Sequence, residues 1–167
     1  ENLALAYTRK ASRSFFAVNR RDSAYFRDLL TTLELGLEDR MKTQMGLLSG
    51  GQRQAASLLM ATIAEPQLLL LDEHTAALDP GTAEKVLALT RRLVEEKHLT
   101  CLMITHNMQA ALQMGNRTIV MDRGKIVLDI FGEARQKLTV SDLLLRFQAT
   151  SGHQLDDDRL LLNRQHS

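Results

Sequence analysis

Four consecutive leucines form a prominent apolar run at 68–71, shortly after Pro66. The run is too short for a membrane span and has no helical period, so it predicts a β-strand in a parallel sheet that is covered on both faces. Two carboxylates, Asp72 and Glu73, follow it directly. Because ligands bind at the carboxyl ends of such strands, we expect both residues at the edge of a site.

A second short apolar run, at 100–105, also predicts a buried strand. Between the two runs, residues 80–97 place apolar side chains at helical spacing, which predicts an amphipathic helix with one face on the sheet. The order strand, helix, strand is a βαβ unit, whose right-handed crossover puts both strand ends on the same rim. His106 is therefore predicted to emerge near the two carboxylates.

Other segments predict helices and one hairpin. Residues 1–18 are helical in tendency, and apolar residues recur at helical spacing over 23–35, with Gly36 as the predicted stop. Two short runs at 117–121 and 125–130 flank a turn-forming Asp-Arg-Gly sequence, which predicts a β-hairpin.

The string Ser49-Gly50-Gly51-Gln52 predicts the start of a helix. Ser49 is a good N-cap, and two glycines let the backbone approach a ligand closely. Backbone N–H groups at a helix start, with the positive end of the helix dipole, favour a phosphate. Alone, the string favours an ordinary capped helix. Followed so soon by a strand that ends in carboxylates, it favours a nucleotide site.

The carboxylates suit phosphate chemistry. Mg²⁺ prefers oxygen ligands and keeps several waters, so Asp72 at a strand end could hold the ion through one of them. Glu73 could polarise an attacking water. For the bare motif, two solvated carboxylates at the end of a strand remain an equal alternative.

Four motifs occur in the order in which a known family has them: LSGGQ at 48–52, LLLLDE at 68–73, AALD at 76–79 and Thr105-His106. Together they resemble the ATP-binding-cassette (ABC) ATPases over roughly residues 1–147. The resemblance implies an α/β, P-loop NTPase-like fold, a parallel sheet core with a helical subdomain, whose N-terminal strands are missing. It implies a helical subdomain at 1–47, the C-terminal part of the ATPase core at 48–147 and a polar tail at 148–167.

The resemblance also implies a role for each motif. The signature residues would contact the γ-phosphate of an ATP held by the opposite subunit: Ser49, Gly50, Gly51 and Gln52. Asp72 corresponds to the Walker B aspartate that binds Mg²⁺, and Glu73 to the general base. Asp79 corresponds to the D-loop aspartate at the dimer interface, although it also precedes Pro80 as an N-cap would. His106 corresponds to the switch histidine.

By the same resemblance, the expected activity is ATP hydrolysis coupled to transport, in the manner of bacterial importers. A second ABC ATPase subunit, in a homodimer, and transmembrane permease subunits are the implied partners, and a substrate-binding protein acts indirectly. The implied location is cytoplasmic, on the inner face of the cell membrane. An amino acid is the suggested substrate.

The chain departs from the family pattern at two places. His74 stands where most of the family has Pro after the Walker B glutamate, and we expect an altered local turn there rather than a metal ligand. No G-x-x-x-x-G-K-[ST] sequence and no clear Q-loop glutamine occur, so the chain lacks the phosphate-cradling loop. We therefore expect that loop to come from residues before Glu1 or from another chain, and the chain alone to be inactive.

Composition limits the alternatives. With 167 residues, 44% of them hydrophobic, the chain is long enough for one domain with a core. A net charge of +1 does not indicate nucleic-acid binding, and the one cysteine, Cys101, excludes an internal disulfide and predicts a buried inert thiol. Three adjacent aspartates at 156–158 are expected to be solvated.

Two other function classes stay open. A DNA-repair or chromosome-organising ABC ATPase would share the signature and Walker B motifs, but would normally carry long heptad coiled coils, which are absent from this sequence. A catalytically inert truncated cassette would survive only as an interaction module.

Overall fold

The computed structural model describes residues 2–11 and 20–151. They divide into two compact units, Glu1–Ile104 and Thr105–Ser167, which we describe separately. The aspartates at 156–158 and the end of the predicted helix over 1–18 lie outside the described residues.

The first unit contains four α-helices, one 3-10 helix and two strands among its described residues. In chain order they are α1 (Asn2–Ala11), α2 (Arg20–Thr31), a 3-10 turn (Met45–Leu47), α3 (Gly50–Thr62), β1 (Leu68–Asp72), α4 (Pro80–Glu96) and β2 (Thr100–Ile104). Helix α2 ends earlier than predicted. The last hydrogen bonds of the helix connect residues three apart, as from Glu34 N to Thr31 O. Glu34 then adopts a left-handed conformation with φ 56°, two residues before Gly36.

The predicted βαβ unit is confirmed. Strands β1 and β2 pair in parallel, with Leu68 opposite Thr100 and Asp72 opposite Ile104, and α4 connects them. The ladder continues one residue beyond β1, because Glu73 N donates to Ile104 O at 3.0 Å. The carboxyl ends of both strands therefore lie side by side.

Helices α3 and α4 cover one face of this sheet. Leu69 and Leu71 point into a core that also contains Leu59 of α3 and Leu93 of α4. Short residues such as Ala55 let α3 pack closely in this layer. A smaller cluster joins α1, α2 and the end of α3 and consists of Ala4, Ala6, Phe26 and Ile63, the residue that caps α3.

Within the described residues, the prediction of a sheet covered on both faces was wrong. Side chains alternate along a strand, so only every second leucine of β1 reaches the core. The others are open: Leu68 is 50% exposed, Leu70 64%, Leu102 50% and Ile104 55%. The two helices supply a layer on one side only, and an unbroken leucine run carries no alternation from which a one-sided strand could be recognised.

Cys101 lies in β2 and is half-buried. Burial raises the pKa of its thiol, which disfavours the reactive thiolate and agrees with the predicted inert role.

The second unit is built on the predicted hairpin. Its described elements are α5 (Met108–Gln113), β3 (Arg117–Asp122), β4 (Lys125–Phe131), α6 (Gly132–Gln136) and α7 (Val140–Ser151). Strands β3 and β4 pair antiparallel around Gly124, whose φ of 76° suits the turn. Across the strands, Arg117 binds Asp129 with two hydrogen bonds of 2.8 and 2.6 Å.

A buried arginine fastens α6 to the rest of this unit. Arg135 donates from Nε to Thr118 Oγ1 at 2.9 Å and from Nη2 to the carbonyls of Ala111 and Leu112 at 3.1 Å each. Carbonyls at a helix C-terminus have no intrahelical donor, so a buried cation there stabilises the end of α5. The sequence carried no signal that singled out this arginine.

None of the helices in the described part of the chain is both long enough and apolar enough to cross a bilayer.

The one-sided sheet predicts unequal effects of two adjacent leucines. In this 167-residue chain, Leu69→Ala removes a buried side chain, and we expect it to lower the free energy of unfolding by about 2–5 kcal/mol. Leu70→Ala, on the open face, should change it by less than about 1 kcal/mol. Urea denaturation of both variants measures the difference, and equal losses would show that both faces are covered.

Candidate nucleotide site

The signature segment begins α3 with a reciprocal cap. Ser49 Oγ accepts from Gln52 N at 3.3 Å, and Gln52 Oε1 accepts from Ser49 N at 3.1 Å. Gln52 Nε2 also donates to Leu35 O at 3.0 Å. The Gln52 amide thus holds the helix start and the preceding loop together, which confirms Ser49 as the N-cap.

Backbone donors remain at this helix start. Arg53 N makes the first intrahelical bond, to Ser49 O at 2.9 Å, and the N–H groups of Gly50 and Gly51 precede it in the helix. Their position at the positive end of a 13-residue helix suits an anion.

Both glycines also have a packing reason, which the sequence did not indicate. A Cβ on Gly51 would lie 2.2 Å from Thr82 Cγ2, and one on Gly50 would lie 3.0 Å from Leu78 Cδ2. The start of α3 therefore packs directly against the segment around Asp79. The structure brings the signature and D-loop motifs together within the first unit.

Asp79 caps α4 as predicted. Its Oδ1 accepts from Thr82 N at 3.0 Å, and Pro80 occupies the first helical turn. Hydrogen bonds from Thr82 lower the pKa of the Asp79 carboxyl, so the side chain is ionised at neutral pH.

The two carboxylates occupy the carboxyl end of β1. Asp72 is the last residue of the strand and is exposed, whereas Glu73 is half-buried. Glu73 adopts a left-handed backbone conformation with φ 46°, which is uncommon for a residue with a side chain. Two backbone hydrogen bonds hold it there, from Glu73 N to Ile104 O and from Ala76 N to Glu73 O, each 3.0 Å.

The side chains at the end of β1 suit Mg²⁺ when waters and phosphates supply its other ligands. Among residues 2–11 and 20–151, no group of three or more metal-ligating side chains could enclose an ion. One exposed carboxylate at a strand end still suits Mg²⁺, which commonly uses one or two carboxylates together with waters and substrate phosphates.

His74 faces inward. Its Nε2 lies 3.1 Å from Oγ1 of Thr90 in α4. Burial lowers the pKa of His74, and the nearby Glu73 offsets part of this effect, so the neutral imidazole is favoured at pH 7. The turn after the Walker B segment is therefore tied to α4 by a side chain.

His106 belongs to the second unit, two residues beyond the end of β2. It is exposed and directly precedes Asn107, whose Oδ1 caps α5 by accepting from Ala110 N at 3.0 Å. Asn107 N in turn donates to Thr105 Oγ1 at 3.1 Å. His106 thus sits in a short, locally hydrogen-bonded segment at a helix start.

Sequence patterns missed two threonines of this region. Thr82 lies three residues after Asp79, a spacing that N-caps favour and that could have indicated it. Thr90, in the middle of α4, had no such signal, because its contact with His74 spans 16 residues.

Comparisons with known proteins agree with this geometry. The sequence profile described as "ABC transporter" matches residues 2–76. The chain is 42% identical over 148 residues to a tyrosine transport ATP-binding protein of Clostridioides difficile, covering 89% of this chain and 59% of that protein. It is 43% identical over 113 residues to a methionine import ATP-binding protein of Streptococcus agalactiae, covering 64% and 32%.

A solved structure of a metal-chelate type ABC transporter in an inward-facing conformation is also similar, with a TM-score of 0.66 and 28% identity. The similarity covers 88% of this chain and 58% of that one. The fold is therefore that of an ABC ATPase, and this chain carries part of the ATP-binding domain of the ABC transporter family. It spans less than two thirds of these relatives' length.

The packing of Gly51 predicts a clash that a second change relieves. Gly51→Ala should lower the free energy of unfolding by about 1–3 kcal/mol, because its methyl group meets the Thr82 methyl. Thr82→Ser removes that methyl and keeps the hydroxyl, so the double variant should regain most of the loss. Urea denaturation of both single variants and the double variant measures this, and an unrelieved loss would contradict the contact.

The cap at Asp79 predicts a pH dependence. The folded-state pKa of Asp79 lies below its usual value of about 4, so its charge stabilises the fold above that pH. This stabilisation is lost as the pH falls through the folded-state pKa. Asp79→Asn keeps a cap but removes the charge. The variant should be less stable than the parent at pH 7, and their difference in urea denaturation should vanish at low pH; a pH-independent difference would contradict the ionised cap.

Proposed function

We propose that this chain supplies the signature, Walker B, D-loop and switch segments of an ATP-hydrolysing importer subunit. The observation that carries the proposal is the end of β1, where Glu73 is held by two backbone hydrogen bonds next to the exposed Asp72. A carboxylate on so constrained a backbone is suited to hold a water in a fixed direction.

In this proposal the signature residues contact an ATP molecule that is bound by a second ABC ATPase subunit. The N–H groups of Gly50 and Gly51 and the Ser49 hydroxyl face the γ-phosphate. Gln52 keeps the helix start in shape, since its amide already bonds Ser49 N and Leu35 O. Asp79 contributes at the same dimer interface.

Asp72 would hold Mg²⁺, and the bound ion would neutralise charge that develops on the phosphate oxygens. Glu73 is the general base toward the attacking water. His106 hydrogen-bonds the γ-phosphate and orients that water. The phosphate-cradling loop is supplied from outside residues 1–167, since the sequence contains no P-loop pattern.

The domain organisation and the partners follow from this role. Residues 1–47 form the helical subdomain that meets the transmembrane permease subunits, 48–147 belong to the ATPase core, and 148–167 form a tail. The working assembly is a dimer of ATPase subunits on the inner face of the cell membrane. A substrate-binding protein acts through the permeases.

The proposal concerns the ATP-driven step, because the named relatives differ in what they transport. One is named for tyrosine and another for methionine. Both names support an amino acid as the substrate class, and the second names import.

Glu73→Gln tests the proposed base. In an assembly that supplies the P-loop, this isosteric change removes the basic oxygen and should lower the rate of phosphate release by about 100-fold or more, as loss of a general base does. ATP binding should stay within about twofold of the parent, because the amide leaves the charge on the phosphate-binding residues intact.

The matched control is Glu84→Gln on the exposed face of α4, which should leave both values unchanged. Undiminished phosphate release from Glu73→Gln would remove Glu73 from the role of base. Absence of turnover in the parent assembly would favour the inert cassette instead.

A further inference from the structure

The turn after β1 has an uncommon backbone conformation at Glu73, next to His74. Glu73 has a left-handed backbone, and Ala76 N closes the turn onto Glu73 O, so His74 is the first residue inside it. A left-handed conformation is unfavourable for a residue with a side chain and persists only where the surroundings hold it. The side chain next to Glu73 is therefore well placed to hold that conformation.

The hydrogen bond between His74 and Thr90 has a defined direction. Thr90 is 1% exposed, and its hydroxyl donates to Val86 O at 2.8 Å. A hydroxyl has one proton, so Thr90 Oγ1 accepts from His74, and the proton lies on His74 Nε2. The acceptor is rigid, because threonine in a helix has few rotamers and this one is buried.

Two anchors on α4 thus hold the segment from His74 to Asp79, which directly follows Glu73. Asp79 is fixed at the first turn of the helix, and His74 is fixed to Thr90 in its body. At 1.5 Å per residue, the ten residues from Pro80 to Thr90 separate these anchors by roughly 15 Å along the helix. The backbone that follows Glu73 is therefore tied to α4 at two points.

We infer that His74 is a positioning residue, which holds the backbone of Glu73 in its left-handed conformation through the hydrogen bond to Thr90. The inference rests on the proposed function, because it concerns the direction in which Glu73, the proposed base, points. It gives a reason for a histidine at position 74, where most members of the family that this sequence resembles have proline. Proline restricts a backbone by its ring, whereas His74 restricts it by a bond to α4.

A metal-binding role for His74 does not fit the geometry. Its Nε2 is engaged by Thr90, and the described residues contain no cluster of metal-ligating side chains to which it could belong. The remaining alternative is a histidine that stabilises the fold without affecting the aim of Glu73. Kinetics separates these two roles.

The experiment is a double-variant cycle in the assembly that supplies the P-loop. His74→Leu removes the donor, Thr90→Val removes the acceptor, and the pair is also combined. We expect each single variant to lower kcat for ATP hydrolysis about tenfold or more, with KM for ATP within about twofold. The combined variant should lose no more than the worse single variant, because both changes remove the same bond.

Conservative variants supply the rescue. His74→Gln places an amide N–H near the position of Nε2, and Thr90→Ser keeps the accepting hydroxyl. Each of these two variants should have a kcat within about threefold of the parent's value. A defect of stability alone would not give this recovery. Thr100→Val, at an exposed position of β2, is the matched control and should leave kcat unchanged.

Four outcomes decide the inference. Lower kcat with non-additivity and rescue supports it. Variants that lower the melting temperature but keep kcat overturn it, as do additive losses or a failed rescue by both conservative variants. If His74→Leu does not fold, the same comparison between Thr90→Val and Thr90→Ser decides. Failure of the proposed function is distinct, because Glu73→Gln would then retain full turnover whatever His74 does.

Discussion

The parallel pairing of β1 with β2 is the constraint on which the rest of the first unit depends. It is extended past the strand by the bond from Glu73 N to Ile104 O, so the residue after Asp72 is still positioned by the sheet. Parallel strands need a crossover, and α4 supplies it while covering the sheet. The same pairing thus sets the carboxylates, the crossover helix and the buried leucine layer.

Helix α4 links three motifs that are separate in sequence. Its N-terminus is capped by Asp79, its first turn meets Gly51 through Thr82, and its body accepts the bond from His74. The contacts with Gly51 and His74 join residues that are far apart in the chain. Together they make one helix the common support of the signature, the D-loop and the turn that follows the Walker B strand, so these motifs are held relative to one another by packing and not by chain connectivity.

The open face of the sheet is the other physical property that stands out. Leucines on alternate positions of β1 face outward, as do Leu102 and Ile104 of β2. Exposed apolar side chains in a contiguous group mark a surface that another layer can cover with a gain of free energy. Helices α3 and α4 leave this side of the sheet uncovered among the described residues, and the alternation along β1 places Asp72 on that same face.

The sequence by itself determined several of the elements and some of their ends. Capping residues, glycines and the leucine run act over a few neighbours, so Ser49, Asp79, β1 and the hairpin around Gly124 were predictable from local chemistry. Only the tertiary structure decided which strand face is covered, why Gly51 has no side chain, and that His74 binds Thr90. These depend on contacts between residues far apart in the chain, for which a single sequence has no local pattern.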